Sequence, residues 1–212
     1  MLRIDMDSWP RRKHFELYSA LDNPYFAVCA DVELTAFYPF VKVRGYSVTV
    51  AITYVLARAS NAIPQFRYRI RGDEVVEHEL VHPSITVLTD EELFTFCTIA
   101  YTEGFPEFSE RASARIAHVR EHPTLEDEPG QDDLLFMTSI PWVSFTSVVH
   151  PVPLDPPDSV PRLAWGKFFK DGEHLKMGLG VQAHHAVMDG LHAGRFYERV
   201  QEYLYAPASA LE

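Results

Sequence analysis

The segment Gln182-Ala183-His184-His185-Ala186-Val187-Met188-Asp189-Gly190-Leu191-His192 gathers three imidazoles and a carboxylate. It follows an apolar run, Met177 to Val181, and precedes a helix-like run, Leu191 to Leu204. A histidine pair at a strand end lies at the edge of a sheet, where a substrate can reach it. Imidazole carries protons near neutrality, with an ordinary pKa of about 6.5. Three readings fit these residues. One is structural: a strand-end pair, an N-capping aspartate and a solvated helix histidine. A second is a metal site built from His185, Asp189 and His192. The spacing i, i+4, i+7 aligns those ligands only on an unbroken helix, and Gly190 after a strand argues that the helix starts beyond Asp189. The third is a general base, with a neutral His185 pointing one ring nitrogen at substrate.

Pro141-Trp142-Val143-Ser144-Phe145-Thr146-Ser147 alternates hydroxyls with aromatic and aliphatic residues. Serine and threonine are tolerated in strands, so the pattern can be purely structural. No Gly-x-Ser-x-Gly elbow occurs, which disfavours a nucleophilic serine of the hydrolase kind. A Ser147 hydroxyl donating to a developing oxyanion fits better. The basic cluster is Trp9-Pro10-Arg11-Arg12-Lys13-His14-Phe15-Glu16. A buried Asp189 needs a cationic partner, since an unpaired buried charge is costly, and Arg11 or Arg12 can supply it.

The elements that must position these groups follow from periodicity. Helices are expected over Pro10–Ala20, Val48–Ala62, Phe108–Glu121 and Leu191–Leu204. Strands are expected over Tyr25–Asp31, Val81–Thr89, Leu93–Tyr101 and Leu134–Val149. Phe66–Arg71 and Val75–His78 flank Gly72-Asp73 as a hairpin, and Arg162–Phe169 and His174–His185 flank Lys170-Asp171-Gly172-Glu173 as another. His122–Asp133 reads as a loop, and the proline-rich His150–Pro161 as irregular chain. Asp189 is a natural N-cap for the last helix. The sum is an α+β fold, a large mixed β-sheet flanked by helices, in one domain spanning 1–212.

Composition narrows the partners. The 212 residues carry a net charge of -11, with 47% hydrophobic and 23% charged residues. With no lysine-rich tract and no arginine–aromatic interleaving, nucleic acid is not an expected partner. Cys29 and Cys97 lack zinc-ligand spacing. There is no apolar signal core, and no apolar run approaches the ~18 residues of a membrane span. A soluble, reducing, cytoplasmic setting without membrane contact or bound metal is the expectation.

Three ordered segments carry a resemblance. Trp9-x-Arg11-x-x-His14-Phe15-Glu16, Pro141–Ser147 and His184–His192 resemble the chloramphenicol acetyltransferase family in order and separation, and the similarity extends through Asn61-Ala62-Ile63-Pro64-Gln65-Phe66-Arg67. His-x-x-x-Asp-Gly alone is less specific, because it also marks other coenzyme-A-dependent acyltransferases. The resemblance implies a two-layer sandwich, a homotrimer with active sites at subunit interfaces, and direct acetyl transfer from acetyl-CoA to a hydroxyl of chloramphenicol, inactivating the antibiotic. It further implies His185 as general base, Ser147 as oxyanion donor, and Asp189 in a structural salt bridge to Arg11. His184 is implied as a supporting group at the substrate, Lys167 as a lysine on the coenzyme side, and Phe26 and Tyr101 as pocket aromatics.

Departures concern the acceptor. Met188 stands where the family has cysteine, and Ala164 where it has threonine. Val148–Pro161 lacks the family's asparagines and aromatics, and the loop near His122–Asp133 lacks a Phe-Pro-x-Gly segment. The alternatives are the same chemistry on another small hydroxylated acceptor, or a non-catalytic trimeric binding relative.

Overall fold

The computed structural model describes residues 1–125 and 130–212. The chain opens with β1 (Leu2–Arg3), α1 (Arg12–Ser19), β2 (Tyr25–Glu33), α2 (Phe37–Val43) and α3 (Val48–Asn61). A 3-10 turn (Pro64–Arg67) leads into β3 (Tyr68–Arg71), β4 (Glu74–Glu77), β5 (His82–Leu88), β6 (Phe94–Thr98) and α4 (Phe105–Glu121). The rest comprises β7 (Leu134–Ile140), β8 (Arg162–Gly166), β9 (Phe169–Asp171), β10 (His174–His184), α5 (Gly190–Tyr205) and α6 (Pro207–Leu211).

The large mixed sheet flanked by helices, expected from the sequence, is present. Its strand order is β2-β10-β8-β7-β5-β6, with β9 paired to β10. The β5–β7 and β7–β8 pairs are parallel and the others antiparallel. Because strand side chains alternate faces, Val32, Ile85, Met137, Leu163, Leu179 and Val181 share one side, and they bury against apolar residues of α3, α4 and α5. The other side carries Thr86, Phe96, Phe136, Thr138, Gly178 and Gly180, by the same register.

The sheet forks. β5 and β7 pair only as far as Ile85 opposite Met137. Beyond that point β5 stays with β6 to Leu88, and β7 stays with β8 to Ile140. A cleft of about 1210 Å³ lies in this fork, lined by Thr86, Val87 and Leu88 of β5 and Thr138, Ser139 and Ile140 of β7.

A second sheet, β1-β4-β3, builds a small separate core. Phe15, Tyr68, Val75, Ala186 and Val187 are buried together there, with Trp9 and Tyr18 packed against them. This core seats α1 and the chain just beyond β10. Arg69 pins the small sheet to the start of β7: fully buried, it donates to the carbonyls of Phe66, Tyr68, Asp132 and Leu134. Burial pulls its pKa down to about 10, so it stays charged at neutrality.

Several expectations change. The strand expected over Leu134–Val149 stops at Ile140, because Pro141 has no N–H for the ladder, and residues 141–149 leave the sheet as irregular chain. α2 was not foreseen, since Phe37-Tyr38-Pro39-Phe40 lacks good helix formers; Pro39 is tolerated in the first turn, where no intrahelical N–H is needed. α4 starts at Phe105 rather than Phe108, with a proline in its first turn. Both hairpins form, with Gly72 and Gly172 at φ 62° and 59°, the left-handed turn positions that glycine occupies without strain. In the loop expected over His122–Asp133, residues 126–129 lie outside the described residues. No helix among the described residues is long and apolar enough to cross a membrane.

Candidate active site

β10 ends at His184, and the His185 amide donates to the Pro24 carbonyl at 2.7 Å. The turn from His185 to Asp189 then wraps a single guanidinium. Arg11 Nε donates to the Ala186 carbonyl at 2.9 Å, and Nη2 to the His185 and Met188 carbonyls at 2.8 and 3.0 Å. Nη1 meets the Asp189 carboxylate at 2.5 Å. Arg11 is therefore the partner of Asp189. Arg12 turns outward to Glu16 and Asp7. Arginine suits this task because its planar fork donates several bonds at once in fixed directions.

Asp189 also caps α5, accepting from the Leu191 amide at 3.1 Å, while the His192 ring accepts from the Asp189 amide at 3.1 Å. Burial works to raise the Asp189 pKa. The Arg11 hydrogen bond and the charges of His192 and Arg11 outweigh it, and the carboxyl falls below its ordinary 3.8. Its stabilising contribution is thus complete at neutrality and is lost as pH falls through the depressed folded value. His192 is buried rather than solvated, and burial lowers its pKa. Since α5 begins at Gly190, His185, Asp189 and His192 do not share a helix face, and the Asp189 carboxylate is already engaged. Asp189→Asn is expected to cost about 1–3 kcal/mol and to lower activity with it, because the Arg11 charge is stranded in a half-buried turn. Urea unfolding compared with the parent checks this; equal stability contradicts the pairing.

The His185 ring lies flat on Tyr18, with centroids 3.9 Å apart and planes within 3°. Phe26 leans on it at 4.7 Å and 44°. Its Nδ1 is buried without a hydrogen-bond partner, and the residue as a whole is half-buried. The two aromatics set the ring plane, and no side chain among the described residues fixes the tautomer. His184 differs sharply. It is 1% exposed, lies edge-on to Tyr25 at 5.2 Å, and accepts from the Ala186 amide at Nδ1. Burial drops its pKa to about 4, so it is neutral at pH 7, and within one chain it has no open path to a ligand.

Ser147 is exposed on the irregular segment after β7. Missing side chains on the neighbouring strand make this path possible. A Cβ at Gly178 would lie 2.6 Å from the Phe145 carbonyl oxygen, and one at Gly180 would lie 2.4 Å from Val148 Cγ1. Further on, Gln182 and His150 exchange side-chain and backbone bonds at 2.6 and 3.2 Å. Lys167, exposed at the end of β8, donates its amide to the Val143 carbonyl at 2.9 Å. Gly178→Ala is expected to push the 145–148 backbone off β10, costing about 1–3 kcal/mol by overpacking together with activity. Wild-type turnover and an unchanged unfolding midpoint would show that the close approach does not matter.

The two groups expected to act on substrate lie on opposite faces of the sheet. Phe26 sits opposite Ala183 in register, so it shares the helix-covered face, and His185 packs with it. The Ser147 segment crosses the face of Gly178 and Gly180. One chain therefore does not bring His185 and Ser147 together. Tyr101 lies in the core, stacked on Tyr54 at 5.9 Å, with its amide on His82. The sequence reading missed Tyr18, Gly178 and Gly180. The available signals were Tyr18 one turn beyond Phe15 on α1, and glycines two apart within a strand, which mark close backbone approach.

Residues 1–201 match the sequence model for chloramphenicol acetyltransferase. The chain belongs to the chloramphenicol acetyltransferase family. It is therefore an acyltransferase. The chain is 31% identical to chloramphenicol acetyltransferases of Escherichia coli and Bacillus pumilus. The former match spans 94% of this chain and 92% of the relative, the latter 91% and 88%. A solved chloramphenicol acetyltransferase superposes with a TM-score of 0.85 at 24% identity, over 96% of this chain and all of the other. The Azotobacter vinelandii dihydrolipoamide acetyltransferase superposes with a TM-score of 0.68 at 17% identity, over 93% and 88%. At these identities both structures speak for the fold alone.

Proposed function

We propose that this family member is an acetyl-CoA-dependent O-acetyltransferase that inactivates chloramphenicol in the cytoplasm. In this reading it is a homotrimer whose sites form between protomers. The observation that carries the proposal is the His185 ring: stacked flat on Tyr18, with Phe26 tilted against it, on a turn locked by Arg11. A half-buried imidazole with a fixed plane suits general-base chemistry, since geometry comes before pKa in choosing a base.

His185 Nε2 takes the proton from the acceptor hydroxyl as that oxygen attacks the thioester carbonyl. Ser147 Oγ donates a hydrogen bond to the carbonyl oxygen as it gains negative charge. The C–S bond then breaks, and protonated His185 returns its proton to the departing sulfur. Arg11 and Asp189 hold the turn and take no proton. Because His185 and Ser147 lie on opposite faces within one chain, the reading pairs His185 of one protomer with Ser147 of the next. A closed ring of head-to-tail contacts meets this requirement, and a trimer is the smallest ring beyond a pair.

The proline-rich stretch supports a second acceptor reading. Tyr25 donates its hydroxyl to the carbonyls of Pro153 and Asp158, and Arg162 bonds Asp158 at 2.5 Å. This pins His150–Pro161 into a shape set by its prolines, consistent with a differently hydroxylated small acceptor. A thiol-release assay with acetyl-CoA decides between the two. Release that requires chloramphenicol supports the first reading. Release only with other alcohols selects the second, and none with any alcohol contradicts both.

A further inference from the structure

The turn after β10 has successive backbone N–H groups, from His185 to Asp189, that need acceptors, and Ala186, Val187 and Met188 are buried. A buried N–H without an acceptor is costly. The Pro24 carbonyl takes the His185 amide at 2.7 Å. His184 takes the next three: its ring Nδ1 accepts from Ala186 at 3.2 Å, and its carbonyl accepts from Val187 and Met188 at 3.3 and 3.2 Å. The His192 ring takes the Asp189 amide. Both ends of the peptide unit joining His185 to Ala186 are therefore held. Its carbonyl receives Arg11 Nη2 at 2.8 Å, and its N–H donates to the His184 ring. The peptide unit before it is tied through the His185 amide to Pro24. Because peptide units are planar, fixing the two that flank His185 fixes its φ and ψ, and with them the direction of its side chain.

The resemblance implies His184 as a group at the substrate, yet the residue is 1% exposed and its Nε2 is buried without a partner. The ring makes one hydrogen bond, and that bond goes to the turn. Resting on the proposed role of His185 as base, we infer that His184 is a positioning residue, whose Nδ1 lone pair holds the Ala186 amide and so aims the His185 ring. The chemistry of the ring suits the task. A neutral imidazole has one bare nitrogen that can accept, whereas an imidazolium has an N–H on both and accepts nothing. Burial outweighs the attraction of Asp158 and, with the neighbouring His185, lowers the His184 pKa to about 4. The lone pair is thus available at neutrality. Arg11 grips the turn by its carbonyls, and His184 grips it by its amides.

Side-chain replacement separates this role from packing. Asparagine carries its amide oxygen on Cγ, where histidine carries Nδ1. Glutamine carries it one bond further out, and leucine has no acceptor. With acetyl-CoA and chloramphenicol, His184→Leu and His184→Gln are expected to lose about 10²-fold in kcat, the cost of displacing a reacting group by about an ångström. Both KM values should stay within a few-fold of the parent. His184→Asn should recover most of the loss, although it fills the buried site less well than leucine. In a His185→Ala background, His184→Leu should cost nothing further, because the ring it aims is gone. Proton–nitrogen correlation NMR of the parent reads the same bond without turnover, with the ring proton expected on Nε2 and none on Nδ1 at pH 7. If His184→Leu does not fold, the asparagine–glutamine pair and the ring tautomer decide. Asparagine no better than leucine or glutamine, a full further loss in the His185→Ala background, or a proton on Nδ1 overturns the inference. The proposed function then stands as long as His185→Ala itself is impaired. A His185→Ala enzyme with parental turnover, or a parent silent with every alcohol, overturns both.

Discussion

His185→Ala is expected to lower kcat by about 10²–10⁴, the usual contribution of a positioned general base, while coenzyme A binding stays near that of the parent. The turn is held through backbone carbonyls of His185, Ala186 and Met188 and the Asp189 carboxylate. Removing the ring leaves every one of these bonds in place. The loss is therefore one of proton transfer, and it should appear in kcat and kcat/KM equally. The space vacated between Tyr18 and Phe26 adds a modest stability cost, which unfolding measurements separate from the kinetic one. A variant that turns over within a few-fold of the parent would remove His185 from the chemistry and return the histidine pair to a structural role.

Ser147→Ala is expected to follow with a loss of about 10²–10³ in kcat, the range for a single oxyanion donor. The side chain is exposed and free of hydrogen bonds among the described residues, so stability should stay within about 0.5 kcal/mol. A large kinetic loss without a stability change is the signature of a group that acts only in the transition state. If Ser147→Ala were harmless, the hydroxyl would be one of several on a tolerant segment and the oxyanion donor would have to be sought elsewhere.

How much of this was legible beforehand depended on locality. Asp189 as an N-cap and the two glycine hairpins rest on contacts within a few residues, and sequence rules describe such contacts well. The Arg11–Asp189 partnership spans most of the chain. It was readable because a half-buried carboxylate restricts the choice to nearby cations; charge alone left Arg11 and Arg12 open, the family resemblance pointed to Arg11, and the salt bridge is to Arg11 while Arg12 turns outward. Tyr18 was hidden because an aromatic on an amphipathic helix looks like any core residue. Ser147 was placed in a strand because Trp142 to Val149 has strand composition; Pro141 and the glycines of β10 instead send it across the sheet. The fork was invisible, since it arises where two strands choose different partners, and no local pattern encodes that.

The central claim is that the reacting groups come from different copies of the chain. Mixing His185→Ala and Ser147→Ala subunits tests it directly, because each variant alone lacks one group at every interface. Random assembly into rings gives about one quarter of interfaces an intact His185 facing an intact Ser147, so the mixture should recover a comparable fraction of parental activity. Mixed oligomers, verified by mass, that stay as inactive as either variant alone would contradict a site shared between protomers.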